Sequence, residues 1–134
     1  MTSDTAGRDA LSAYVAAQHH FGLEYGKHDC GAFVADWCEA VTGVHPWPEL
    51  RGAYSDKDEI PPFLGDASLV QVMGRAARRN GYVKTRNPVR GDVGAFATGK
   101  VICLGICAGQ SWLTKTTGIA VFKTVRVVAA WRIV

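Results

Sequence analysis

A chain of 134 residues with 48% apolar side chains is long enough for one ordered core, and its four cysteines are too few and too far apart to suggest a disulfide scaffold. The net charge of +3 hides a division: residues 1–66 sum to −7 and residues 67–134 to +10. That division suits head-to-tail or ring assembly, or an anionic partner, if the two halves do not intermix on folding. The start, Met1-Thr2-Ser3-Asp4, has no basic stretch and no apolar run, which predicts no signal peptide. The most apolar stretch, Val101 to Ala108, is too short for a bilayer, which predicts no membrane span.

In chain order, the first predicted helix runs from about Thr5 to His20, with Leu11, Tyr14 and Val15 on one face and Asp4 or Thr5 as cap. A loop over Phe21–Asp29 leads to a second helix from Cys30, with Phe33, Val34, Trp37, Cys38 and Val41 at helical spacing and Thr42-Gly43 as its stop. Residues 44–65 hold Pro46, Pro48, Pro61 and Pro62 and read as a long irregular segment anchored by Trp47, Tyr54 and Phe63. A third helix follows over about Asp66–Arg79, with Leu69, Val72, Met73 and Ala76 inward and Asn80-Gly81 as stop. Its Arg75, Arg78 and Arg79 cluster without a recognisable nucleic-acid motif, so no nucleic-acid partner is predicted.

After Gly81 the texture changes to strands: Tyr82–Lys84, Asp92–Ala97, Val101–Ala108, Trp112–Thr114, Ile119–Thr124 and Val125–Ile133. Helices in about 1–80 and strands in about 81–134, without βαβ alternation, predict a single α+β domain with an antiparallel meander or small barrel.

The residue set that points to chemistry is Asp29-Cys30-Gly31. A cysteine in a first helical turn sits among unpaired N–H groups and the positive end of the helix dipole, which favour the nucleophilic thiolate. Asp29 suits an N-cap. His28, two residues before Cys30, is a weak candidate base, while His45 lies a helix length away, about 20 Å, and His19 and His20 close the first helix. No histidine follows His45. Cys30 and Cys38 sit about 12 Å apart along a helix, and Cys103 and Cys107 about 13 Å apart along a strand, so neither pair ligates one metal; no metal or cofactor is predicted. Asp36 is expected to pair with Arg51 or another cation. Gly105 is expected to allow a close backbone approach or a bulge, and Trp112 and Trp131 are expected to pack in the core or an interface.

These motifs resemble a known family. Asp29-Cys30-Gly31-Ala32-Phe33-Val34, preceded by Tyr25-Gly26, is similar to the nucleophile motif of NlpC-type cell-wall peptidases, which have a papain-like fold. Gly91-Asp92-Val93-Gly94-Ala95-Phe96 resembles the Gly-Asp strand of that family. Cys103-Leu104-Gly105-Ile106-Cys107-Ala108-Gly109 resembles its His-Val-Gly-Ile-Tyr-Leu-Gly strand. The chain looks most like a small branch of that fold found among tail genes of tailed bacteriophages and gene-transfer agents, sharing its His-Asp-Cys loop, Ala35-Asp36-Trp37, Arg51-Gly52-x-Tyr54 and a terminal Trp131-Arg132.

The resemblance implies a virion component of the tail tip or baseplate, with other tail proteins as partners. It also implies that the family's catalytic histidine is replaced by Cys103, and that the residue orienting it falls near Thr114 or Lys115. A nucleophilic cysteine needs a base or a fixed cation, so the expected protein is a structural piece on a degenerate peptidase fold rather than an enzyme. The alternatives are an active cell-wall peptidase or amidase with Cys30 as nucleophile, or a module that holds cell-wall peptide without cutting it. If Cys103 takes the histidine's place it would lie opposite Cys30, and oxidation would join the two.

Overall fold

The computed structural model describes residues 9–18, 30–48, 69–99, 101–116, 118–123 and 125–133. Three helices precede six strands: α1 (Ala10–Gln18), α2 (Cys30–Thr42), α3 (Leu69–Asn80), β1 (Val83–Thr85), β2 (Val93–Thr98), β3 (Val101–Cys107), β4 (Trp112–Lys115), β5 (Ile119–Phe122) and β6 (Arg126–Arg132). The α+β expectation holds, and each strand falls within one or two residues of its expected place. No helix among the described residues is long and apolar enough to cross a membrane.

Helix ends follow local chemistry. Asp9 caps α1 by accepting from the Ser12 N–H at 2.9 Å, so the cap lies later than the expected Asp4 or Thr5, which are outside the described residues. Helix α2 stops at Gly43, whose φ of 83° is the left-handed conformation that glycine adopts without cost. Helix α3 stops at Gly81 (φ 75°), and Asn80 Nδ2 donates to the Ala76 carbonyl at 2.8 Å.

The sheet order is β1-β6-β2-β3-β4-β5, with every neighbouring pair antiparallel. Strands β2 to β5 form the expected meander. Strand β6 departs from it, returning across the sheet to lie between β1 and β2, with a bulge opposite Ala95/Phe96.

The two sheet faces bury different sets. On one face Val93, Ala95, Leu104, Ile106, Leu113, Ala129 and Trp131 meet Leu11, Phe33, Val34, Trp37, Cys38, Met73, Ala76 and Ala77 of the helices. On the other face Phe96, Cys107, Trp112 and Ala130 pack among themselves, with Cys103, Phe122 and Val125 at their margin. Phe96 of β2 and Phe122 of β5 have ring centroids 5.7 Å apart although β3 and β4 lie between their strands. A flat sheet with strands ~4.8 Å apart would hold them much farther apart. The sheet therefore curls over this face, towards the small barrel the strand pattern suggested.

Candidate functional site

The direction of α2 decides what Cys30 can meet. Past its C-terminal end, the Pro46 carbonyl accepts from Arg79 Nη2 (2.7 Å) and Asn80 Nδ2 (3.1 Å) at the end of α3. From within the helix, Trp37 Nε1 donates to the Gly91 carbonyl at 2.9 Å, and the Gly91 N–H donates to Cys107 at the end of β3. The later part of α2 thus lies at the Cys107 end of β3. Its first turn lies towards the other end, where β3 starts, β4 ends at Lys115 and β5 starts at Ile119. Helix and strand have similar lengths, about 20 Å for 13 helical residues and about 23 Å for seven extended ones. Cys30, half-buried, packs at the margin of the helix-covered core.

Strand alternation then sorts the candidate residues. On β3, Leu104 and Ile106 belong to the helix-covered core, whereas Cys103 and Cys107 belong to the opposite cluster. Cys103 therefore has its thiol on the far face of the sheet from Cys30, and burial raises its pKa. This overturns the expectation that Cys103 lies opposite Cys30. The two thiols pack against different clusters, and no disulfide joins them in this structure. All four cysteines are free thiols.

Of the two residues proposed for the third polar position, Thr114 uses its hydroxyl on its own sheet, donating to the Leu104 carbonyl at 2.7 Å. Lys115 is one residue further and so shares the face of Leu113, the face that α2 covers; only 3% of it is exposed. Residue parity against Leu113 separates the two. Lys115 is the buried cation at the Cys30 end of the sheet.

Among the described residues the one histidine gives no such group. His45 stands at the far end of α2, where its Nδ1 accepts from the Trp47 N–H at 3.2 Å and its Nε2 is 3.7 Å from Asp36 Oδ1. Asp36 thus faces His45; its expected partner Arg51 lies outside the described residues, as do His19, His20, His28 and Asp29. Cys38 is buried in mid-helix, and desolvation pushes its thiol up to about 12, which disfavours the thiolate.

Gly105 allows the close backbone approach expected of it. A Cβ there would lie 2.5 Å from the Leu113 carbonyl oxygen and 2.7 Å from the Phe96 ring, so the close approach is internal. Trp112 and Trp131 are both buried, as expected.

What remains is a half-buried thiol in the first turn of α2 and a buried lysine on the sheet face that the helices cover. Among the described residues no imidazole is placed to protonate a leaving group.

No curated protein and no solved structure matches the chain. A family model does match, over residues 4–133. By that match the chain belongs to the family described as a domain of unknown function, DUF6950.

Proposed function

We propose that this chain is a non-hydrolytic structural component of a phage tail tip or baseplate, built on a degenerate cysteine-peptidase-like fold. The single observation that carries the loss of hydrolysis is the facing of β3. The strand position that the resemblance equates with the catalytic histidine holds Cys103, on the opposite sheet face from the Cys30 helix. The positions that do face the helix carry Ile102, Leu104 and Ile106, none of which moves a proton. The virion assignment rests on the motif resemblance and on the charge division between the two halves of the chain.

The test is Cys30→Ala, read both as tail assembly with infectivity and as release of soluble peptide from purified cell wall. Unchanged infectivity, with no release by either protein, is expected. Peptide release by the parent that Cys30→Ala abolishes overturns the reading.

One observation favours a second reading, an active peptidase or amidase. Lys115 is a buried cation on the helix-covered face at the Cys30 end, and it would replace the imidazole as the group that stabilises a thiolate. Lys115→Met separates the readings, because only the second makes Cys30 reactivity depend on that charge.

A further inference from the structure

Much of the unpaired charge of the chain's basic half lies along one groove. After Asp66 the chain contains a single carboxylate, Asp92, which is buried and held by Arg132 at 3.1 Å. Arg90 is engaged by Asp9, and Arg79 by the Pro46 carbonyl. Arg75 and Arg78 on α3, Lys84 on β1 and Arg86 just after it are all exposed and have no carboxylate partner among the described residues. Arg75, Arg78 and Lys84 rim a cavity of about 590 Å³ between α3 and the β1–β6 edge, floored by Ala129 and Trp131. A second cavity of about 510 Å³ shares Lys84 and Ala129 with the first and adds Arg86, Val127 and Val128.

The second cavity is a notch in the sheet. Strand β1 has three residues and pairs only with Ala130–Arg132, while β6 has seven. On the β1 side, Arg126 to Ala129 pair with no strand among the described residues, although β2 pairs Arg126, Val127 and Ala129 on the other side. Val127 and Val128 are 39% and 37% exposed there. An open strand edge is a template for another extended chain, and proteins that leave one uncovered commonly use it.

We propose that this groove takes an acidic, extended segment of a partner protein as an added strand on β6. The main chain of Arg126–Ala129 pairs with the segment. Its apolar side chains lie beside Val127 on the Phe96 face of the sheet, and its carboxylates, on the helix-covered face with Ala129, meet Lys84, Arg86, Arg75 and Arg78. The chemistry favours a peptide over a nucleic acid. A single-stranded nucleic acid needs exposed aromatic faces for stacking, and the large apolar side chains exposed among the described residues are all valines. The inference stands on the groove alone and does not require the tail assignment.

The test uses the whole protein and a fluorescein-labelled peptide of alternating glutamate and valine, read by fluorescence anisotropy at low salt. A peptide of alternating lysine and valine is the control. Saturable binding of the acidic peptide alone is expected. The double variant Arg75→Glu/Arg78→Glu, which alters exposed side chains and should melt like the parent, weakens it roughly tenfold or more. Amide hydrogen exchange over residues 126–129 slows on saturation. Absence of binding, or binding without protection of these amides, overturns the proposal. So does an oligonucleotide that displaces the peptide and outcompetes it for the parent. Concentration-dependent self-association that the same double variant abolishes would assign the groove to a second copy, and also overturns it.

Discussion

Gly94 and Gly105 stand directly opposite each other in the β2–β3 ladder, and the space above them is taken by aromatic rings rather than side chains of their own. The Phe96 ring lies 2.7 Å from where a Gly105 Cβ would be, and Trp112 reaches across β3 to within 3.1 Å of the corresponding point at Gly94. Phe96 and Trp112 themselves meet in a tilted contact, 5.7 Å between centroids. The glycine pair is what lets the curled face close on its own aromatics.

Gly105→Ala should therefore behave as overpacking against backbone, since the Leu113 carbonyl oxygen would be 2.5 Å from the new methyl and cannot rotate away. Such strain costs about 2–3 kcal/mol, which lowers Tm by roughly 5–10 °C for a domain of this size. Gly118→Ala, where a Cβ meets nothing within 4 Å, is the control and should change Tm little. Thermal unfolding followed by circular dichroism measures both; equal Tm values would show that the ring–glycine contact carries no packing strain.

Tyr82 and Cys38 make a second, quieter pair. The Tyr82 hydroxyl is buried without a partner at hydrogen-bonding geometry and lies against Cys38 and Thr42. Burial raises the phenol pKa, and the neighbouring thiol adds to the shift. Removing a buried hydroxyl that makes no bond removes a desolvation cost. Tyr82→Phe is expected to be as stable as the parent to within about 0.5 kcal/mol, or more stable. Urea unfolding measures it, and a loss of about 2 kcal/mol would mean that the hydroxyl is bonded in solution.

Local chemistry in the sequence was enough to place the elements. Gly, Asn and Thr between β-branched runs marked all six strands, and Thr42-Gly43 and Asn80-Gly81 marked two helix ends. The position of β6 between β1 and β2 was not legible, because a crossover depends on which distant edges bury most surface and leaves no local sign. At the candidate site, Cys30 in a first helical turn was legible from spacing. The side on which Cys103 falls was also present, since Leu104 and Ile106 read as core and β-strand parity puts Cys103 opposite them. Aligning Cys103 with a catalytic histidine overrode that parity. The basic groove was half legible: Arg75 and Arg78 stood out, but their meeting with Lys84 and Arg86 needs the α3–β1 packing.

The cap of α1 gives a pH-dependent prediction. Asp9 accepts from the Ser12 N–H and is bridged by Arg90, whose Nη2 donates to Asp9 Oδ1 at 3.0 Å and to Ser12 Oγ at 2.9 Å. The Arg90 hydrogen bonds, then the Ser12 N–H, hold the Asp9 carboxyl well below the usual carboxylate range. A carboxyl with a lowered folded-state pKa stabilises the fold above its unfolded value near 4 and loses that contribution as pH falls through the folded value. The two side chains are 41% and 49% exposed, so water screens much of the attraction. Asp9→Ala, which removes both cap and ion pair, is expected to cost about 1 kcal/mol at neutral pH. Asp9→Asn, which keeps a good cap, should cost less, and its deficit should shrink below about pH 4. Chemical denaturation across pH 2–7 tests this; a deficit of Asp9→Asn that grows on acidification would contradict the assignment.

The state of Cys30 is settled by its reactivity against that of the other three thiols. Burial pushes Cys38 up to about 12 and raises Cys103 and Cys107 as well, so these three should label slowly with iodoacetamide in the native protein. Cys30, half-buried in the first turn of α2, should label fastest. If the site is vestigial, its rate rises with an inflection near the free-thiol value of about 8.5, and Lys115→Met leaves it there. Methionine keeps the apolar stem of the buried lysine, so a change in rate reads the charge rather than the packing. An inflection below about 7 that moves upward in Lys115→Met would instead identify an activated thiolate held by that cation, and would displace the structural reading in favour of a cysteine hydrolase.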